Sequence, residues 1–248
     1  MHQAQIFVDK VAARINPSRL SDYVFDVVSS NIIKDCLMDD ASNYVYSAAI
    51  SIADAINGIR RGLVSWATVK LYYSVYYACR GILALNSVGI IYVGGTPFTL
   101  DANPGNKIIK RNGQTHKIVL NEFSVRNIEY SLLSQEIDLQ PPLDWLMGKR
   151  EIANYKNSRF WEPGVPDYFK KIFDIGIRKS INGYFTDFDL YAFDPEHAIL
   201  AYPIKSLKIA YELLDARGKK WEIDDKKYIM NLFKDNNGPL TEICRIFQ

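Results

Sequence analysis

The stretch that decides the fold runs from Tyr46 to Gly89: YSAAISIADAINGIRRGLVSWATVKLYYSVYYACRGILALNSVG. Val45, Ala49, Ile52, Ile56 and Ile59 recur at steps of four and three. That period lays one apolar stripe along a single face of an α-helix. Asn43, Asp54, Asn57 and Arg61 fall on the opposite face. Asp40 or Ser42 suits the start of this helix and Gly62 its end. Ser65 is then placed to cap a second helix, Trp66 to about Leu85. Ala67, Val69, Leu71, Val75, Ala78, Ile82 and Leu83 occupy several of its faces, which predicts a central, buried helix. Tyr72, Tyr73, Tyr76 and Tyr77 form two adjacent stripes, with rings to fill a core and hydroxyls that need polar partners.

Working outward, the pattern changes after Gly89. Ile90 to Val93, then Gly94-Gly95, then Phe98 to Leu100 predict a β-hairpin with a glycine turn. Asn103-Pro104-Gly105-Asn106 predicts a loop. A helix is expected from near Lys117 to about Gln135, and another opened by Pro141-Pro142, running from about Leu143 to Phe160. Residues 166–181 read as helical, and 183–203 as aromatic-rich and irregular with short strands. Two more helices are expected near Ile204–Leu214 and Asp224–Lys234. Upstream, residues 1–40 hold one or two short helices broken at Pro17. The fold class is therefore mainly all-α, with an N-terminal helical segment (1–40), a helical bundle (41–160) carrying a β-hairpin insertion near 90–100, and a mainly helical C-terminal extension (161–248).

Composition narrows the class further. Of 248 residues, 48% are hydrophobic and 23% charged, enough apolar mass to bury a core and enough charge to stay in water. Thirty lysines and arginines against 28 acidic residues give a net charge of +2, so nucleic-acid binding would need a local concentration of charge. Cys36, Cys79 and Cys244 are far apart and odd in number, which argues against a disulfide scaffold and fits a reducing, cytoplasmic setting. The N-terminal residues carry charges throughout, so no secretory signal is expected, and no window is apolar enough for a membrane span. The sequence holds no Walker loop, no dinucleotide-binding glycine fingerprint and no Gly-x-Ser-x-Gly elbow. No cofactor or metal is expected.

Four separated segments resemble the HEPN family. The first two helices join through a short glycine-containing turn, and Tyr72, Tyr73, Tyr76, Ala78 and Arg80 match the Tyr-Tyr-x-x-Tyr/Phe-x-Ala-x-Arg pattern of its second helix. Thr115-His116-Lys117 is similar to the opening of the third helix, and Arg150-Glu-Ile-Ala-Asn-Tyr155 to the fourth. The resemblance covers roughly residues 40–160. It implies an up-and-down helical bundle, often dimeric, found in prokaryotic toxin–antitoxin, phage-defence and CRISPR-linked systems. Many members are metal-independent ribonucleases using an arginine followed, four to six residues on, by a histidine; others bind nucleotides or protein partners.

The chemistry of that motif decides the functional expectation. The histidine is the general base on a ribose 2′-hydroxyl and the arginine holds the phosphate. Arg150 is followed by Tyr155, Lys156 and Asn157, and a phenol titrating near 10 is a poor base at neutral pH. Arg111-Asn-Gly-Gln-Thr-His116 has the right spacing, but Gly113 interrupts it and it precedes the third helix; the plainer reading is a loop with Thr115 as helix cap. Lys107, Lys110, Arg111 and Lys117 have no acidic residue between Asp101 and Glu122, so this segment could contact the phosphates of RNA or DNA. His197 follows Asp194-Pro195-Glu196 without a second histidine at ligand spacing and reads as a turn. Tyr184, Phe185, Phe188, Tyr191 and Phe193 look exposed and offer an interface; the alternative is an internal aromatic cluster. The expectation is a non-catalytic accessory or interaction subunit of a defence or toxin–antitoxin-type system, a homodimer or part of a protein complex, with a metal-independent ribonuclease and a nucleotide-sensing module as the alternatives.

Overall fold

The computed structural model describes residues 2–15, 17–126 and 129–248. The fold is mainly α-helical with a small antiparallel sheet. Helix α1 spans Gln3–Arg14 and α2 spans Val27–Arg60, with a 3-10 turn over Pro17–Asp22 between them. Then come α3 (Val64–Leu85), strands β1 (Val88–Val93), β2 (Thr96–Asp101) and β3 (Ile109–Lys110), and α4 (Thr115–Arg126). The remaining elements are α5 (Tyr130–Leu133), α6 (Pro142–Glu151), α7 (Asp167–Ile175), α8 (Ile177–Tyr184), α9 (Phe188–Phe193), α10 (Ala198–Ala216), α11 (Ile223–Leu232), β4 (Lys234–Asp235), β5 (Gly238–Pro239) and α12 (Thr241–Cys244). Among the described residues, no helix is long and apolar enough to cross a membrane.

The chain divides into two compact units. The first comprises Met1–Tyr44, Cys79–Ile128 and Leu213–Lys220. In it α1 lays Ala4, Val8 and Ala12, one face at four-residue spacing, towards the sheet. Gln5 completes the seam: its side-chain amide accepts from the Tyr92 N–H at 2.8 Å and donates to the Tyr92 carbonyl at 2.5 Å, so a side chain pairs with the edge of β1 as a neighbouring strand would. The expected hairpin is present as β1 and β2, joined by Gly94 and Gly95 at φ 55° and 78°. That pair of left-handed residues is what a two-residue turn of right-handed twist requires. A third strand, β3, pairs with β2 and was not legible in the sequence.

The second unit comprises Val45–Ala78, Glu129–Glu212 and Trp221–Gln248. The stripe Val45, Ala49, Ile52, Ile56 and Ile59 is buried as expected. After it α2 closes in a Schellman arrangement: the Leu63 N–H donates to the Gly58 carbonyl and the Gly62 N–H to the Ile59 carbonyl, with Gly62 at φ 74°. Tyr72 and Tyr76 of α3 are buried, whereas Tyr73 and Tyr77 are half-buried.

Several expected boundaries are corrected. Helix α2 starts at Val27, not near Asp40 or Ser42. Its true cap is a reciprocal pair, in which the Asp26 carboxylate accepts the Ser29 N–H at 2.7 Å and Ser29 Oγ accepts the Asp26 N–H at 3.0 Å. Asp40 lies inside α2 and caps another helix, its buried carboxylate accepting the N–H groups of Gln3 (2.7 Å) and Ala4 (3.0 Å) at the start of α1. The helix expected over 117–135 is α4 and then the separate turn α5; the junction at residues 127–128 lies outside the described residues. The helix expected to reach Phe160 leaves α geometry after Glu151. Residues 183–203 contain no strand but the end of α8, α9 and the start of α10, which carries Pro203 in its interior. Proline usually marks a helix boundary because it removes one N–H and crowds the preceding turn, which is why α10 was placed too late.

Candidate functional site

Arg150 stands in the last turn of α6. Beyond Glu151 the backbone widens into a π turn over Ile152–Lys156, closed by the Asn157 N–H donating to the Ile152 carbonyl at 3.4 Å. In a continuing α-helix the neighbours of a residue lie three and four positions on. The wider turn brings the fifth residue back, and Arg150 Nη2 donates to the Tyr155 hydroxyl at 3.3 Å. The guanidinium carbon lies 5.0 Å from the Tyr155 ring centre, 5.4 Å from that of Tyr72 and 5.8 Å from that of Tyr73. Arg150 is thus held among three aromatic faces at cation–π range, and its buried Nε has no hydrogen-bond acceptor among the described residues. Lys156 pairs with Glu151 at 3.2 Å.

The Arg111–His116 segment belongs to the first unit. Gly113, at φ 116°, turns the chain between β3 and α4. Arg111 Nε donates to Thr99 Oγ1 at 3.0 Å and Nη2 sits 2.5 Å from Glu122 Oε1. The other oxygen of Glu122 accepts from Arg126 Nε at 3.2 Å, and Arg126 Nη1 reaches Asp101 at 3.1 Å. Two arginines and two carboxylates therefore close a neutral network around Glu122, whose side chain is 8% exposed. Asp101 and Glu122 are the acidic residues that bound the cation-rich segment in sequence; folding brings Glu122 onto its one arginine, Arg111, while Asp101 pairs with Arg126 beyond the segment. His116 lies half-buried in the first turn of α4. Thr115 is itself helical, and the residue whose carbonyl starts the helix is Gln114, which accepts from the Ile118 N–H. Lys107, Lys110 and Lys117 are exposed, and none joins an ion pair among the described residues.

Two further expectations meet the structure here. Of the five aromatics expected on the surface, Tyr184 and Phe193 are buried and Phe185, Phe188 and Tyr191 half-buried, so the internal cluster is the observed arrangement. The buried His197 Nδ1 lies 3.2 Å from the Tyr184 hydroxyl, with the Tyr191 ring 5.0 Å away. Burial pushes the His197 imidazole below its usual range, against the opposing pull of Asp194 and Glu196, and keeps it neutral at physiological pH. No group of three or more histidine, cysteine or acidic residues that could hold a metal ion occurs among the described residues.

A contact that the sequence did not signal ties α3 to the segment after the π turn. The Glu162 carboxylate accepts the Ser65 N–H at 2.8 Å and the Ser65 hydroxyl at 2.6 Å, and Ser65 Oγ accepts the Trp161 N–H at 3.1 Å. The cap of α3 is therefore Glu162, and Ser65 is a relay inside the helix. Burial works to raise the Glu162 carboxyl, but hydrogen bonds from the Ser65 side chain and backbone outweigh it and hold the group below its usual range. Arg80, the arginine of the tyrosine-rich motif, is likewise absorbed by packing: its guanidinium carbon lies 4.3 Å from the Tyr44 ring centre and Nη2 donates to the Ile90 carbonyl at 3.3 Å.

No family model matches this chain, and no curated protein and no solved structure is significantly similar to it.

Proposed function

We propose that the chain is a HEPN-like, non-catalytic interaction subunit of a prokaryotic defence or toxin–antitoxin-type assembly, acting in the cytoplasm as a homodimer or within a larger complex and contacting nucleic-acid phosphates. The observation that carries this reading is the engagement of both candidate arginines. Arg111 is bonded to Glu122 and Thr99, and Arg150 is stacked among Tyr72, Tyr73 and Tyr155. A phosphate-holding arginine has to present its N–H fork to the substrate. The family reading is supported by the four motif segments in their order and by the packing of Arg150, from the fourth segment, on Tyr72 and Tyr73 of the second. Phosphate contact falls to Lys107, Lys110 and Lys117, the cations of the segment left without an acidic partner among the described residues.

The test is incubation of the purified chain with a mixed RNA pool in the presence of chelator, followed by filter retention at rising salt. Intact RNA, retained weakly and released as salt rises, is the expected result. Lys107→Ser, Lys110→Ser and Lys117→Ser together should abolish the retention. Cleavage lost in His116→Ala would overturn the non-catalytic reading in favour of a ribonuclease built on Arg111 and His116. Retention unchanged by the triple substitution would reject the lysines as the contact.

A further inference from the structure

Within the second unit, a pocket of about 410 Å³ opens between α6, the start of α7 and the turn before α10. Its size is within the range of about 300–1,000 Å³ usual for small-molecule sites. Three aromatic residues line it: Trp145 on α6, Trp161, and Tyr168 in the first turn of α7, with the Trp145 and Tyr168 rings edge to face at 6.3 Å. Lys149, one helical turn after Trp145, turns its ammonium onto these faces, 4.7 Å from the Trp145 ring centre and 5.3 Å from that of Tyr168. A tethered ammonium therefore marks where the rings accept positive charge.

The charges on the wall agree. Asp138 and Glu196 line the same pocket, and neither is in an ion pair among the described residues, whereas Asp167 beside them is paired with Lys170 at 2.6 Å. Two unpaired carboxylates disfavour an anion. Trp145 is fully buried, so its ring is held rigidly as the floor on which the Lys149 ammonium rests.

We propose that this pocket binds a small organic cation, an alkylammonium of about the size of choline, on the faces of Trp145, Tyr168 and Trp161 and between Asp138 and Glu196, in the seat that the Lys149 ammonium takes. Lys149 is then an internal competitor. Its flexible stem lets it swing out to water when a better-fitting cation arrives. The arrangement makes a prediction opposite in sign to that for a ligand-holding lysine: removing Lys149 tightens binding. Losing the competing contact and one repelling charge should be worth about tenfold.

The experiment is calorimetric titration of the full chain with choline and with 3,3-dimethylbutanol, its uncharged isostere. Saturable binding of choline, at least tenfold weaker binding of the isostere, and about tenfold tighter choline binding by Lys149→Met are expected. Trp161→Ala, at a site 38% exposed and so tolerant of substitution, should weaken choline binding. The pair Asp138→Asn and Glu196→Gln should do the same, and asparagine suits the left-handed backbone at residue 138, φ 52°. Equal heats for choline and its isostere, no choline binding by either wild type or Lys149→Met, or weaker binding by Lys149→Met would overturn the proposal.

Discussion

Glu122 Oε1 lies 2.5 Å from Arg111 Nη2, inside a network that also takes Arg126 and Asp101. A sequence scan counts Arg111 among four neighbouring cations; the fold removes it from that set by bringing an acid from the next helix back onto it. Glu122→Gln should destabilise the chain by about 1–3 kcal/mol, because two arginines lose the carboxylate that offsets them in a poorly solvated place. The double variant Arg111→Gln with Glu122→Gln should cost less than the two single costs added. Urea denaturation of the three variants measures this, and strict additivity would show that the pair is not coupled.

The Ser65–Glu162 clasp makes a prediction about pH. Glu162 is held below the ordinary value of 4.5, so its contribution to stability is present above that value and is lost as pH falls through the folded one. Glu162→Gln should lower stability by about 1 kcal/mol at pH 7, the usual worth of a helix cap. The gap between variant and wild type should narrow below pH 4.5, where the wild-type carboxyl protonates as well. A gap that stays constant down to pH 3 would mean that the cap does not depend on the charge.

How much of this was legible in the sequence depends on distance along the chain. The apolar stripe from Val45 to Ile59, the glycine closing α2 and the Gly94-Gly95 hairpin are local patterns, and all are present. The caps were misplaced for the opposite reason. Asp40 has the right chemistry for a cap, but the N–H groups it accepts are those of Gln3 and Ala4, and α3 is capped by Glu162. A carboxylate supplied from far along the chain leaves no spacing to detect. The same holds for the candidate site: the arginines were visible, whereas the rings and acids that engage them came from other elements.

The tyrosine-rich helix gives graded expectations. Tyr72 and Tyr76 are 2% and 5% exposed, so Tyr72→Ala and Tyr76→Ala should each cost about 3–5 kcal/mol, the range for emptying a buried aromatic site. Tyr73 is half-buried and touches the rings of Tyr72, Tyr76 and Tyr77 at 5.5 to 6.4 Å, so Tyr73→Ala should cost clearly less. Equal losses at the three positions in a denaturant series would contradict this burial order.

Arg150 separates the two roles an arginine can take in this fold. Stacked against Tyr72, Tyr73 and Tyr155, it contributes through ring contacts worth roughly 0.5–1 kcal/mol each at partly exposed sites. Arg150→Ala should therefore lower stability by about 1.5–3 kcal/mol. Arg150→Lys should fall between the two, because it keeps the charge and gives up the planar face. Tyr155→Phe should be nearly silent, since the ring stays and the lost hydroxyl belongs to a residue 66% exposed. Retention of RNA by all three folded variants should match the wild type at equal salt, because the guanidinium is turned to the rings. A stable Arg150→Ala protein that no longer retains RNA would reverse the assignment and make Arg150 the phosphate-binding residue.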